Sequence, residues 1–258
     1  MTPDVFIFAF ILYSIFVYII KRVLYPFEKE IAPLPITKWL CGYEYAIIVS
    51  PDYWWAFRFK SRIKSTISPN QSKEASKKYV IQNNKLNLII SIALAVVCLT
   101  AFHSLGSSHL LSTLLSALAV IRFISRSYEI AYAFGCDVFQ QHDSSTGLKK
   151  HERISLALYS YVEIFFYSAA AYTVLPTITT ALDAITLALN VGTLTNVGYA
   201  FSKLDTPFFV NILFVQVFST LSLVVLSLAA YLSKNEKCLT AVRFAHSGPA
   251  KASPLTKR

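Results

Sequence analysis

Residues 180–201 read TALDAITLALNVGTLTNVGYAF. The part from Thr180 to Val197 is mostly apolar, yet it falls short of the roughly 20 residues a bilayer core takes and has no basic loops of its own. It sits between two longer apolar runs, Ile154 to Leu175 and Phe208 to Leu232. Three more lie upstream: Val5 to Ile20 (extended by Val23 and Leu24 and stopped by Pro26), Leu86 to Phe102, and Leu110 to about Ile124. Of the 258 residues, 55% are hydrophobic and 15% charged, with a mean hydropathy of +0.50. A soluble domain carries nearer 25% charge. Runs of this length describe an all-α integral membrane protein with five spans, not one soluble core.

The bases set the expected orientation. The 21–85 segment holds twelve Lys and Arg, residues 122–153 hold five, and the tail from Lys234 holds six. With five spans these regions share one face, and the other face has only Lys203. Twenty-three against one is a clean positive-inside pattern. It predicts a multi-pass protein of the cell (inner or plasma) membrane, N-terminus outside and C-terminus cytoplasmic. Residues 176–207 then face outward, so the 180–197 stretch enters and leaves from one side as a re-entrant loop.

The remaining signals exclude more than they specify. The net charge of +10 follows from the same positive-inside bias and needs no nucleic acid. Cys41, Cys98, Cys136 and Cys238 have neither C-x-x-C nor metal spacing, and read as reduced thiols. Cys136, His142 and His151 match no metal pattern and read as a solvated loop. The N-terminus has Asp4 where a signal peptide is basic, and no small-residue cleavage site precedes Lys21-Arg22. No phosphate loop, G-x-S-x-G or H-E-x-x-H occurs, so no enzyme and no cofactor are expected. In residues 26–85, SPDYWWAFRFKSRIKS places aromatics beside Arg58, Lys60, Arg62 and Lys64 and reads as an interfacial segment. That segment is a candidate seat for an unknown cytoplasmic partner. Gln71 to Asn84 reads as a linker or short surface helix. Residues 121–139 read as an amphipathic helix leaving the bilayer, with Ile121, Ile124, Tyr128 and Tyr132 on its apolar side and Arg122, Arg126 and Glu129 punctuating it.

A polypeptide that re-enters a membrane must bury its backbone or line a water-filled pore with it. Residues 153–233, about 80 in all, resemble the pore region of the two-span potassium channels, in the bacterial form with extra N-terminal helices. The family string T-x-x-T-x-G-Y-G is met by Thr193, Val197, Gly198 and Tyr199, with Thr195 at a frequent threonine. Thr180 and Asp183 supply caps for an inward-running pore helix, whose C-terminal dipole favours a cation. The resemblance implies a homotetramer conducting potassium or another monovalent cation. Carbonyls of Thr195, Asn196, Val197, Gly198 and Tyr199 would line the filter, supported by Thr193, Ala200 and Phe201.

The chain departs from the family at several points. Asn196 stands at a threonine, Ala200 at the second glycine and Phe201 at an acidic residue, and the pore helix lacks an aromatic cuff. A left-handed Ala200 would cost about 1–2 kcal/mol per subunit. Relaxed selectivity is therefore expected. So is the alternative of a non-conducting or conditionally opened relative, acting as a regulatory subunit or a membrane-depolarising effector. An unrelated transporter or membrane assembly factor is the third reading.

Two polar residues stand inside spans. Glu163 falls about 15 Å past Arg153 along a helix, near the midplane, where a carboxylate is functional or else hydrogen-bonded to a packing neighbour. Gln216 and Ser219 are its expected partners. The division is a first helix (1–25), a basic and aromatic segment (26–85), two spans with an interfacial helix (86–140), a pore-like unit (153–233) and a basic tail (234–258).

Overall fold

The computed structural model describes residues 3–25, 45–66, 68–106, 109–139, 148–202 and 207–224, all of it helix and short turns with no strand among the described residues. Most of the aromatic-basic segment before Tyr45, the end of the fifth run and the tail lie outside them, as do Cys41, His142, Lys203 and Cys238.

Among the described residues nine α-helices follow in order: α1 (Pro3–Val23), α2 (Tyr45–Val49), α3 (Pro51–Thr66), α4 (Pro69–Leu105), α5 (Leu110–Phe139), α6 (Lys150–Ala171), α7 (Ala181–Gly192), α8 (Val197–Ser202) and α9 (Pro207–Leu221). Five of them, α1, α4, α5, α6 and, with the helical turn that carries it on to Val224, α9, are long and apolar enough to cross a membrane. The chain is a multi-pass membrane protein. α6 is the centre of the bundle: α4 and α5 run along it, α1 lies on α5, and α7 and α9 cover another side.

Two helices are longer than the sequence suggested. Gln71 to Asn84 is no linker; it is continuous with the apolar run in the 37-residue α4. Pro69 opens α4 at a position that tolerates a missing N–H, and Ser72, Ser76, Tyr79, Asn83 and Asn87 recur at three- and four-residue spacing on a buried stripe. That stripe is polar, so hydropathy alone hides it. α4 ends at Gly106, whose φ of 77° is the left-handed region that suits glycine.

The 30-residue α5 is likewise a single helix, and the charged residues that punctuate it turn inward. Tyr128 and Tyr132 are exposed, while Arg122, Arg126 and Glu129 are buried. Ionic partners on other helices outweigh the apolar preference of that half.

The aromatics of α3 also turn inward. Ser50 caps α3, accepting the Tyr53 N–H at 3.1 Å. Tyr53, Trp54 and Phe59 are buried and Phe57 is exposed. The ring of Trp55 lies 4.7 Å from Tyr18, and Phe59 lies 5.3 Å from Tyr25. α3 is thus fastened to the Val23 end of α1, and the purely interfacial reading of its aromatics gives way to protein packing.

Candidate functional site: a capped half-helix and a buried charge cluster

α7 begins with the capping arrangement its sequence predicts. The Thr180 hydroxyl accepts the Asp183 N–H at 3.1 Å, and the Asp183 carboxylate accepts the Thr180 N–H at 2.9 Å. Hydrogen bonds from Thr180 and Thr179 hold the Asp183 carboxyl below its ordinary range. At 12 residues, α7 is about 18 Å long. Its last residue, Gly192, offers its carbonyl to the Tyr161 hydroxyl on α6 at 3.1 Å. Tyr161 precedes Ala171, the end of α6, by about 15 Å of helix, so α7 runs back along nearly half of the 22-residue α6. Gln216 on α9 donates to the Ala188 carbonyl at 2.9 Å and accepts the Tyr172 hydroxyl. Gly192 leaves room for that amide: a Cβ would lie 2.9 Å from Gln216 Nε2, so the amide would have to shift.

The next residues form a helix stop. The Leu194 N–H reaches the Val191 carbonyl at 3.2 Å and the Thr195 N–H reaches the Asn190 carbonyl at 3.1 Å. Leu194 takes φ 59°. This pair of bonds around a left-handed residue is a Schellman motif with leucine where glycine is usual. Thr193 and Thr195 face each other through their hydroxyls at 2.9 Å.

The candidate filter residues therefore stand in two different settings. Thr195 and Asn196 are exposed in the turn, whereas Val197, Gly198 and Tyr199 belong to α8. The Asn196 carbonyl accepts the Ala200 N–H at 3.3 Å, as the residue before a helix does. A carbonyl-lined filter needs extended backbone with its oxygens turned to a shared axis; a helix aligns them with its own axis. The backbone here is helical. Ala200 is buried and free of left-handed strain, and the ring of Phe201 rests 4.7 Å from that of Phe214. The strain expected at Ala200 is found at Leu194 instead.

Glu163 does not meet Gln216 or Ser219. Arg126 on α5 grips it with two bonds, Nε at 2.6 Å and Nη2 at 2.8 Å, both side chains being buried. Arg126 also pairs with Glu129. Lys21, at the end of α1, donates to Asn83 on α4 at 2.8 Å and pairs with Glu129 at 3.4 Å and Asp52 at 3.8 Å. Arg122 lies 3.7 Å from Asp52, donates to Asn87 at 2.7 Å and to the Tyr167 hydroxyl at 2.6 Å. Tyr167 in turn donates to the Asn87 carbonyl at 3.2 Å.

Asp52 is held from the side by serines. The Ser125 hydroxyl donates to its carboxylate at 2.9 Å and accepts its N–H at 3.2 Å, while Ser50 donates to the Ser125 carbonyl at 2.7 Å. Burial pushes the Asp52 carboxyl up to about 6, with Arg122 pulling the other way.

Lys21, Arg122 and Arg126 thus balance Asp52, Glu129 and Glu163, and the cluster joins α1, α3, α5 and α6 with α4 supplying amides. Each partner needs the rest, since an ion in such a place is tolerable only with its counter-charge. Among the described residues, Asp52 Oδ1, Arg122 Nη1 and Asn87 Nδ2 have no hydrogen-bond partner, so the polar interior is not fully closed. The sequence carried a signal for this cluster: positions 122, 126 and 129 share one helical face. Lys21, read as a stop, and Asp52, not singled out, gave none.

Set against family models, curated proteins and solved structures, the chain matches none of them.

Proposed function

We propose that this chain is a channel-like membrane protein of the pore-loop plan, closed as it stands and opened only conditionally. In this reading α6 and α9 are the outer and inner spans, α7 is the pore helix, and residues 193–201 occupy the place of the filter. The observation that carries it is the capped α7, which runs back along α6 and is held at its end by Tyr161 and Gln216. A half-length apolar helix between two spans, pinned about halfway along the first of them, is the device a pore loop requires. The helical α8 supports the closed form over a standing potassium filter. Four copies around one axis would supply the pore, and monovalent cations would be its cargo.

The orientation in this reading puts α7 on the outer side and α3 on the cytoplasmic side. Lys21, Arg122 and Arg126 belong to the buried cluster and not to loops, yet twenty bases on one face still oppose one on the other.

The test is potassium and sodium flux from liposomes holding the purified protein, with barium as blocker and cross-linking to count subunits. A four-membered ladder with little resting flux fits the proposal. Selective, barium-sensitive flux at rest would replace it with a working potassium channel. A persistent monomer without flux would remove the channel reading.

A further inference from the structure

α6 carries two sets of polar side chains on opposite sides. Glu163 and Tyr167 point to the charge cluster, where they meet Arg126 and Arg122. Tyr161 and Tyr172 point to α7 and α9, where they hold the Gly192 carbonyl and Gln216. Residues two apart in a helix lie about 200° apart, so Tyr161 and Glu163 read the two sides of a single turn. Any shift of α6 that relaxes one set disturbs the other.

α3 packs on α1, α4 and α5, and its ionic route to α6 runs through the cluster. Its N-terminus is inserted there: Ser50 and Asp52 bind Ser125, and Asp52 supplies the third negative charge opposite Lys21, Arg122 and Arg126. Without it, three bases face two acids in a buried space, and Arg122 loses the only carboxylate it is paired with among the described residues. Arg122 is also the donor that holds Tyr167 of α6. At the far end of the chain of contacts stands α8. α8 is six residues long and follows a turn strained at Leu194, and a helix this short depends on its neighbours more than on its own hydrogen bonds.

We propose that α3 is a latch. Seated, it completes the cluster, fixes α6, and through Tyr161, Tyr172 and Gln216 keeps residues 193–202 in the turn-and-helix form; unseated, it releases them. The inference deepens the conditional-opening reading above and rests on it for the meaning of release. The coupling itself is measured without conduction.

The experiment is hydrogen–deuterium exchange on the full-length protein in lipid nanodiscs, comparing wild type with Asp52→Arg and Ser125→Ala. Asp52→Arg puts a fourth base among three and expels α3. Ser125→Ala removes only one hydroxyl and leaves every charge in place, so it remains informative if the first variant does not fold. The expected result is exchange at least tenfold faster in the peptide covering residues 197–202, with a smaller change of the same kind for Ser125→Ala and the lipid-facing part of α1 unchanged. Acceleration confined to α3 and α5 would overturn the latch. So would acceleration spread evenly over all helices, which is general loosening and not coupling. Flux measured on the same variants separates the two readings. Faster exchange at 197–202 with no flux keeps the latch and removes conditional conduction, whereas unchanged exchange removes the latch whatever the flux.

Discussion

Arg126 and Glu163 face each other across α5 and α6 through two nitrogen–oxygen contacts, 2.6 and 2.8 Å, with both side chains withdrawn from solvent. Such a forked pair is rigid as well as strong, and it is the direct ionic tie between the charge cluster and α6. Breaking it from one side leaves the buried cluster with an unbalanced charge. Glu163→Gln or Arg126→Gln is expected to lower stability by about 3–5 kcal/mol. The double variant Arg126→Met/Glu163→Leu should lose less than either single change, because no ion remains unpaired. Thermal unfolding in detergent checks this; a double loss equal to the sum of the single losses would mean the pair is not coupled.

Leu194 carries a left-handed backbone in a motif that favours glycine. Leu194→Gly is expected to stabilise the C-terminal end of α7 by about 1 kcal/mol, seen as a higher melting temperature. Leu194→Val should do the reverse, since a β-branched side chain is least tolerant of that φ. Destabilisation by glycine would show that the turn is not the one described.

At Gly192 the limit is space. A methyl group would stand 2.9 Å from Gln216 Nε2, which donates to Ala188. Gly192→Ala should cost about 1–3 kcal/mol by turning that buried amide away from its acceptor. Adding Gln216→Leu should recover part of the loss, because the crowded amide is then gone. No recovery would place the clash elsewhere.

The Asp52 carboxyl titrates from about 6 in the fold against an ordinary 3.8, with burial as the cause. The groups that face it are Lys21, Arg122, Arg126 and Glu129. The folded protein then holds this proton more tightly than the unfolded chain. Asp52 contributes stability that is complete below about 3.8 and is lost as pH rises through about 6. Asp52→Asn keeps a neutral side chain throughout, so the melting temperature of wild type should fall relative to that variant between pH 4 and 7. A constant difference across that window would mean that Asp52 is ionised in the fold at all these values.

Much of the architecture is written in local patterns. Apolar length marks all five spans, and T-A-L-D marks the start of α7 because a capping box is a contact between neighbours. The filter-like string was harder, since its conformation turns on backbone angles that Thr, Asn, Val and Gly all permit. With Asn196 in the place before a helix and alanine at 200, the helical choice is open to it. The charge cluster is the opposite case. Its partners come from residues 21, 52, 122, 126, 129 and 163, and only the three on α5 share a local period. A base such as Lys21, placed where loops begin, looks like a topological signal until the bundle closes around it.

The cluster also bears on how the protein is made. Arg122 and Arg126 lie about 18 and 24 Å from the Leu110 end of α5, and each would cost about 2.5–3.5 kcal/mol at the centre of a lone inserted helix. The countercharge for Arg122 has already been translated when α5 leaves the ribosome, but Glu163 comes 37 residues after Arg126. Until then Arg126 has Glu129 of its own helix, which Lys21 also claims, so α5 enters the bilayer one counter-charge short and is best delivered together with α6 as a hairpin. Ribosome stalling between the two helices should leave α5 waiting at the insertion machinery until Glu163 arrives.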